Sequence, residues 1–213
     1  MQLLIPAAGR ATGPDRPPPF QIACGRMLIE RAIATCAVAA ATLRVVVVLD
    51  VEQERRFGLR SALTGVAPGC LIVLAAQPTQ GALCSALLAA DVLDREQPLL
   101  VALADVFIDG GIDDAVSSFA ASAADVGIIT FPDDDRRWSY VRADEAGRVV
   151  ETAEKRPIGE FATAGIYWYR RAGEFIEAGE AAIRNDRPLV AGSSRQVMSR
   201  GAASRLCGGV GAG

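Results

Sequence analysis

The chain has 213 residues, 51% of them hydrophobic, and a net charge of only −3, so one compact domain with a sizeable core is expected and neither a nucleic-acid footprint nor a polybasic membrane patch is implied. It contains no histidine, which removes Ser-His-Asp and Cys-His catalysis, His-ligated zinc and imidazole acid–base chemistry. Its 5 cysteines are scattered and form no C-x-x-C pair, a pattern expected of reduced thiols in a cytoplasmic protein.

In chain order, Leu3–Pro6 is a short apolar run that breaks into "PAAGRATG". It has no basic flank, so a signal peptide is not expected. Arg26–Ala39 reads as a helix that is apolar on most sides. The apolar stretch Ala37–Leu49 is interrupted by Arg44 and falls short of a membrane span. Arg44–Asp50, Leu71–Ala76 and Leu99–Ala104 are further continuous apolar runs rich in Val, Leu and Ile, as expected of strands buried on both faces. Between them, Val51–Leu63 and Gly81–Leu93 read as helices, and this alternation predicts an α/β sheet with right-handed crossovers.

After Val126 the strands "VGIITF", "WSYVRADEAGRVVETAE" and "ATAGIYWY" are of mixed character, with Asp144–Gly147 as a hairpin turn. Arg170–Arg184 reads as one more helix. The expectation is a parallel sheet extended by an antiparallel portion. A domain over residues 1–186 precedes a segment, 187–213, with four arginines, no Asp or Glu and no apolar period, which reads as a poorly ordered tail.

Open α/β sheets bind ligands outside the carboxyl ends of their strands, so the loops there are the candidate sites. "PAAGRATG" has small residues that let backbone N–H groups approach an anion; it is neither a Walker A loop nor a G-x-G-x-x-G fingerprint, and a phosphate cradle and an ordinary tight turn both fit. In "AAQPTQGALCSALLAA" the Gln77 amide can pair with a nucleobase edge, and Gly81 would let a base lie against the backbone; a solvated polar loop is the other reading. Asp105, after the apolar strand of "LLVALADVFID", suits Mg²⁺, which takes few protein ligands, with Asp109 as an outer partner; a helix cap or turn is the alternative. "PDDDRR" (Pro132–Arg137) reads as a solvated loop rather than a metal cluster. Glu154 and Lys155 in "ETAEKRP" could bind a sugar hydroxyl and a phosphate, or be a surface pair.

Taken in order, "IPAAGR…P-P", "QPTQGA", the strand ending in Asp105, "AEKRP" and "ATAGIYWY" resemble the sugar-nucleotide nucleotidyltransferases, the NTP:sugar-1-phosphate pyrophosphorylases of capsule and lipopolysaccharide synthesis. The resemblance covers about residues 1–184. It implies a GT-A-like α/β/α sandwich on a Rossmann-like, mostly parallel mixed sheet. It also implies attack of a sugar phosphate on the α-phosphate of an NTP, with Mg²⁺ as cofactor. On that resemblance Ala8, Gly9 and Thr12 line the triphosphate loop, Gln77 and Gly81 meet the base, Asp105 binds Mg²⁺, and Glu154, Lys155 and Gly165 line the sugar-phosphate side.

The signature loop departs from the family. Gly13 stands at its arginine and Pro18 at its lysine, leaving Arg16 as a partial substitute. The family's second metal carboxylate comes from a later segment, and no acid follows Asp186. A truncation or shifted reading frame would account for that, and impaired catalysis is expected. The alternatives are a non-catalytic nucleotide-binding module of the same ancestry and a GT-A glycosyltransferase, against which the spacing of Asp105 and Asp109 counts. A homo-oligomer would cover apolar surface left by an altered C-terminus.

Overall fold

The computed structural model describes residues 1–9, 16–37 and 43–184, together with the backbone of Gln196–Arg200. The central sheet is built on β1 (Gln2–Ala7), whose residues are all buried. It pairs in parallel with β4 (Arg44–Asp50) on one side and β6 (Leu99–Ala102) on the other, and β4 pairs in parallel with β5 (Leu71–Ala75). Val-rich runs such as "VVVVL" favour this arrangement because branched side chains pack well on both faces of a pleated sheet.

Beyond β6 the direction changes. Strand β10 (Phe161–Tyr169) runs antiparallel to β6 and to β7 (Val126–Pro132). Strands β8 (Ser139–Ala143) and β9 (Val149–Glu154) form a hairpin that joins the sheet through β10. Its turn closes as expected at Asp144–Gly147, where the Asp144 amide donates to Arg148 O at 2.9 Å. The parallel-then-antiparallel sheet is therefore the mixed, mostly parallel one expected.

Alternation along β1 divides the core in two. Leu3, Ile5 and Ala7 join residues of α1 (Leu28–Thr35), α3 (Leu59–Val66) and α5 (Asp113–Ala121), including Ile29, Leu63 and Phe119. Leu4 and Ala8 join Val46, Val48 and residues of α4 (Ala82–Leu87) and α6 (Ala172–Arg184), including Ala86, Phe175 and Ile176. Helices on both faces make the three layers. At the amino end of β1 the buried Gln2 behaves like an extra backbone unit: its amide donates to Asp94 O and accepts from Asp94 N, both at 2.8 Å.

Several elements differ from the sequence expectation. The helix expected over Val51–Leu63 is two: α2 (Val51–Phe57), capped by Asp50 Oδ1 on the Gln53 amide at 2.9 Å, ends at Gly58 in the left-handed region, and α3 follows. Arg26–Met27 (β3) pairs with Ile22–Ala23 (β2) before α1 begins. The helix expected over Gly81–Leu93 stops at Leu87 and resumes only as a short 3₁₀ turn at Ala90–Val92. Helix α5 was not anticipated. Within the segment read as a tail, Gln196–Arg200 (β11) pairs in parallel along β7. A strand needs only five residues and a free sheet edge, so its lack of apolar period did not reveal it. The rest of 185–213 and Thr12 lie outside the described residues.

Candidate functional site

Strand β6 is where the sheet changes direction, parallel to β1 on one side and antiparallel to β10 on the other. Strand order also reverses beside it, β4 and β5 lying on one side of β1 and β6 on the other, and such a switch point opens a crevice at the carboxyl ends of the parallel strands. Half-buried Asp105 sits just past β6 at this point, in the turn Ala104–Asp105. It opens onto a cavity of about 280 Å³ shared with Arg137, Trp138, Thr163, Gly165 and Tyr167.

Gly165 shapes that cavity. The pairing of β10 with β7 shifts register between Thr163 and Tyr167, and Gly165 lies inside the shift at φ +69°. Its carbonyl accepts from Leu103 N at 3.0 Å, tying the bulge to the segment that carries Asp105. Removal from water pushes the Tyr167 hydroxyl above its ordinary range, partly offset by its hydrogen bond with Thr163, so it faces the cavity as a neutral group.

The "PDDDRR" segment is mostly exposed, as expected of a solvated loop, and is ordered by hydrogen bonds of its own. Asp133 Oδ1 accepts from Asp135 N at 2.7 Å, and its Oδ2 accepts from the Trp138 indole at 3.2 Å. Asp135 Oδ1 accepts from Arg137 N at 3.0 Å, and the Tyr140 hydroxyl donates to Asp135 O at 2.8 Å. Its carboxylates are thus used in shaping the chain.

On the other side of Asp105 lie the ends of β1, β4 and β5. Gly9 leaves β1 exposed, and the Gln53 amide donates to its carbonyl at 2.8 Å, holding the start of the loop to α2. Ala8 is fully buried, backbone included, and packs in the core. Gln77 is exposed beyond β5, and Gly81, at φ +142°, precedes α4. The Thr79 hydroxyl bonds Gly81 O at 3.3 Å and pairs closely with the Ser85 hydroxyl, giving this loop a fixed shape. Arg16 is exposed, its carbonyl accepting from the Gln21 amide at 3.2 Å.

Of the residues singled out by sequence, the cavity brings together Asp105 and Gly165. Glu154 and Lys155 are exposed at the end of β9, with Lys155 at φ +52°, and neither lines the cavity. Asp109 does not stand behind Asp105; the buried Val106 and Phe107 lie between them in the chain, and Asp109 lines a separate cleft of about 220 Å³ with Arg26, Arg31 and Phe107. Sequence reasoning passed over Arg137, Trp138, Thr163 and Tyr167. The signal was the "RRWS" step into β8, a cation and an aromatic at the mouth of a strand.

A mixed sheet with helices on both faces and a cavity beside its antiparallel strand defines an α/β/α sandwich. The chain belongs to the nucleotidyl transferase family, whose pattern matches residues 12–182. Among solved structures it resembles a nucleoside-diphosphate-sugar pyrophosphorylase from Vibrio cholerae RC9, with TM-score 0.72, 21% identity, and coverage of 92% of this chain and 83% of that one. A protein provisionally described as a glucose-1-phosphate thymidylyltransferase from Bacillus anthracis gives TM-score 0.71 at 14% identity, covering 94% and 86%. HddC from Yersinia pseudotuberculosis gives 0.68 at 16%, covering 93% and 89%. These likenesses bear out the expected fold. No curated protein matches the chain.

Proposed function

We propose that this chain transfers a nucleotidyl group from an NTP to a sugar phosphate, releasing pyrophosphate. The observation that carries the reading is the placement of Asp105 at the sheet's reversal, between the loops suited to an NTP and the cavity suited to an acceptor. An oxygen of the sugar phosphate attacks the α-phosphorus, and the bond to the pyrophosphate oxygen breaks. The attacking oxygen is already anionic, so no general base is required, which agrees with a chain that has no histidine.

The residues present fit Mg²⁺. Among the described residues no three acidic or thiol side chains cluster, and a single carboxylate opening onto a cavity is the donor set of an ion that completes its shell with water and phosphate oxygens. Asp105 would hold it, and the bound ion supplies charge compensation for the phosphates. Gly9 and Thr12 receive the triphosphate, with Ala8 packed in the core, and Gln77 and Gly81 receive the base. Arg16 offsets charge on the transferring group. Gly165 shapes the sugar-phosphate side, with Glu154 and Lys155 exposed outside the cavity at the end of β9. Pro18, exposed at the head of a 3₁₀ turn over Pro18–Phe20, provides no cation, so turnover is expected about 10²–10³ below that of a loop with its lysine. Residues 1–186 form the working domain, and the protein acts in the cytoplasm. Among the described residues no helix is long and apolar enough to cross a membrane.

Calorimetric titration with the four Mg-NTPs, on wild type and Asp105→Ala, followed by a pyrophosphate-release assay with mixed sugar 1-phosphates, tests this. Asp105-dependent binding with turnover is the expected result. Binding without turnover would instead support a non-catalytic nucleotide-binding module, and no NTP binding would refute the reading.

A further inference from the structure

Building on the nucleotidyl-transfer reading, we infer that Arg137, held over the Trp138 ring at the mouth of the Asp105 cavity, is the residue that receives the phosphate of the acceptor sugar. Three observations converge on it. First, Arg137 lines the cavity together with Asp105, Thr163 and Tyr167, whereas Lys155 does not. A sugar phosphate seated there needs a cation, and among the described residues Arg137 is the only basic side chain in that lining.

Second, the turn that presents it is held at several points. Asp133 and Asp135 fix the backbone and the indole, and Trp138 N donates to Asp135 O at 3.2 Å. Trp138 packs edge-on against Phe131 at 5.2 Å, while the guanidinium lies 5.1 Å from the indole ring's centre. An arginine stacked on an aromatic ring has lost much of its rotamer freedom before the ligand arrives, so less entropy is lost on binding.

Third, the guanidinium's geometry leaves its binding edge in use for a ligand. Asp135 Oδ2 lies 3.0 Å from Nε, so the two Nη groups remain to donate. A planar fork of that kind matches two oxygens of a phosphate, which a lysine cannot do. The hydroxyls of Thr163 and Tyr167 on the facing strand then suit the sugar's own hydroxyls. The site accordingly selects phosphorylated over free sugars.

Tryptophan fluorescence reports on this directly, since Trp138 carries the arginine while Trp168 is buried. Glucose 1-phosphate, mannose 1-phosphate, glucose and inorganic phosphate are titrated into wild type, Arg137→Ala and Arg137→Lys, with Mg-NTP binding measured on the same samples. At least one sugar phosphate is expected to bind wild type while free glucose does not. Arg137→Ala should weaken it about 10–100-fold, the range for a charge-assisted hydrogen bond, and Arg137→Lys should recover only part. The Kd for Mg-NTP should stay unchanged, and the side chain's 63% exposure makes folding of the variants secure. If Arg137→Ala binds the sugar phosphate as wild type does, the inference is overturned and the transfer reading survives. If wild type binds Mg-NTP but no sugar phosphate, both fall.

Discussion

Replacing Gly165 with alanine asks whether this glycine contacts a ligand or builds the cavity. Two costs follow from the structure. The residue sits at φ +69°, where a side chain costs about 1–2 kcal/mol. A Cβ there would also lie 2.7 Å from Leu103 Cδ1 and 3.0 Å from its Cγ, and shifting a leucine end adds about 1 kcal/mol, the low end of overpacking. The total, about 2–3 kcal/mol, corresponds to a fall in Tm of about 4–12 °C for a domain of this size. The clash partner is known, so a second substitution separates the two terms. Leu103→Ala removes the obstructing atoms, and Gly165→Ala in that background should lose only the backbone part. Thermal unfolding of the four proteins forms a double-mutant cycle with an expected coupling of about 1 kcal/mol. The Leu103 amide bonds Gly165 O, so the single variant should also lower Mg-NTP affinity through a displaced Asp105 turn. An unchanged Tm for Gly165→Ala, or purely additive effects in the cycle, would refute this account.

Other substitutions test other parts of the fold. A Cβ on Gly127 would enter the Phe119 ring at 2.3–2.6 Å, a ring that stacks on Trp168, so Gly127→Ala should destabilise by about 3 kcal/mol or fail to fold unless paired with Phe119→Leu, as denaturant titration would show. Arg170 ties β10 to the end of α5 through Ala124 O at 2.9 Å and Ser122 O at 2.6 Å while lying over Trp168; Arg170→Met should cost about 2–3 kcal/mol by the same titration, and an effect below 0.5 kcal/mol would contradict it. Asp50→Ala removes the cap of α2 and should cost about 1 kcal/mol in thermal unfolding, with Asp50→Asn losing less. Burial pushes the Cys36 thiol from 9.0 up to about 12, so its contribution to stability is whole below pH 9 and is lost as pH rises toward 12. A Cys36→Ala variant should show a shallower alkaline fall in Tm, and an identical profile would argue against that burial.

The parallel half of the sheet could be read from sequence because each of its strands is a short run of branched apolar residues with nothing polar inside, and such runs have few other uses. Arg44–Asp50 is an instance where both ends fell where expected. Helix boundaries were harder. Nothing in the composition of "EQERRFGLRSAL" shows that Gly58 adopts the left-handed conformation and splits the helix, since glycine is tolerated within helices at a cost of about 1 kcal/mol. Asp105 was legible as the first polar group after an apolar strand. The cavity opposite it was not, because it depends on a bulge in β10 and on a turn ordered by hydrogen bonds of Asp133 and Asp135 that the run of aspartates does not announce. Asp109 was misplaced for a related reason: nearness along the chain says little when the residues between, Val106 and Phe107, turn into the core.

The reversal at β6 has a consequence for how the site can be dissected. On the proposed reading the loops after the parallel strands receive the NTP and the cavity beside β10 receives the acceptor, and among the described residues the segment Leu103–Asp105 joins the two. Changes far out on either half should therefore act on one substrate alone. Gln77→Ala should raise the Kd for the preferred Mg-NTP about 5–10-fold and leave sugar-phosphate binding as it was, because a hydrogen bond between neutral groups contributes about 1 kcal/mol. Asp105→Ala should weaken the nucleotide and also abolish any enhancement of sugar-phosphate affinity that the nucleotide brings, since that coupling has one segment to pass through. Calorimetry of each ligand in the absence and presence of the other measures both effects. A Gln77→Ala variant that weakened the sugar phosphate directly would mean that the two halves share more than this junction.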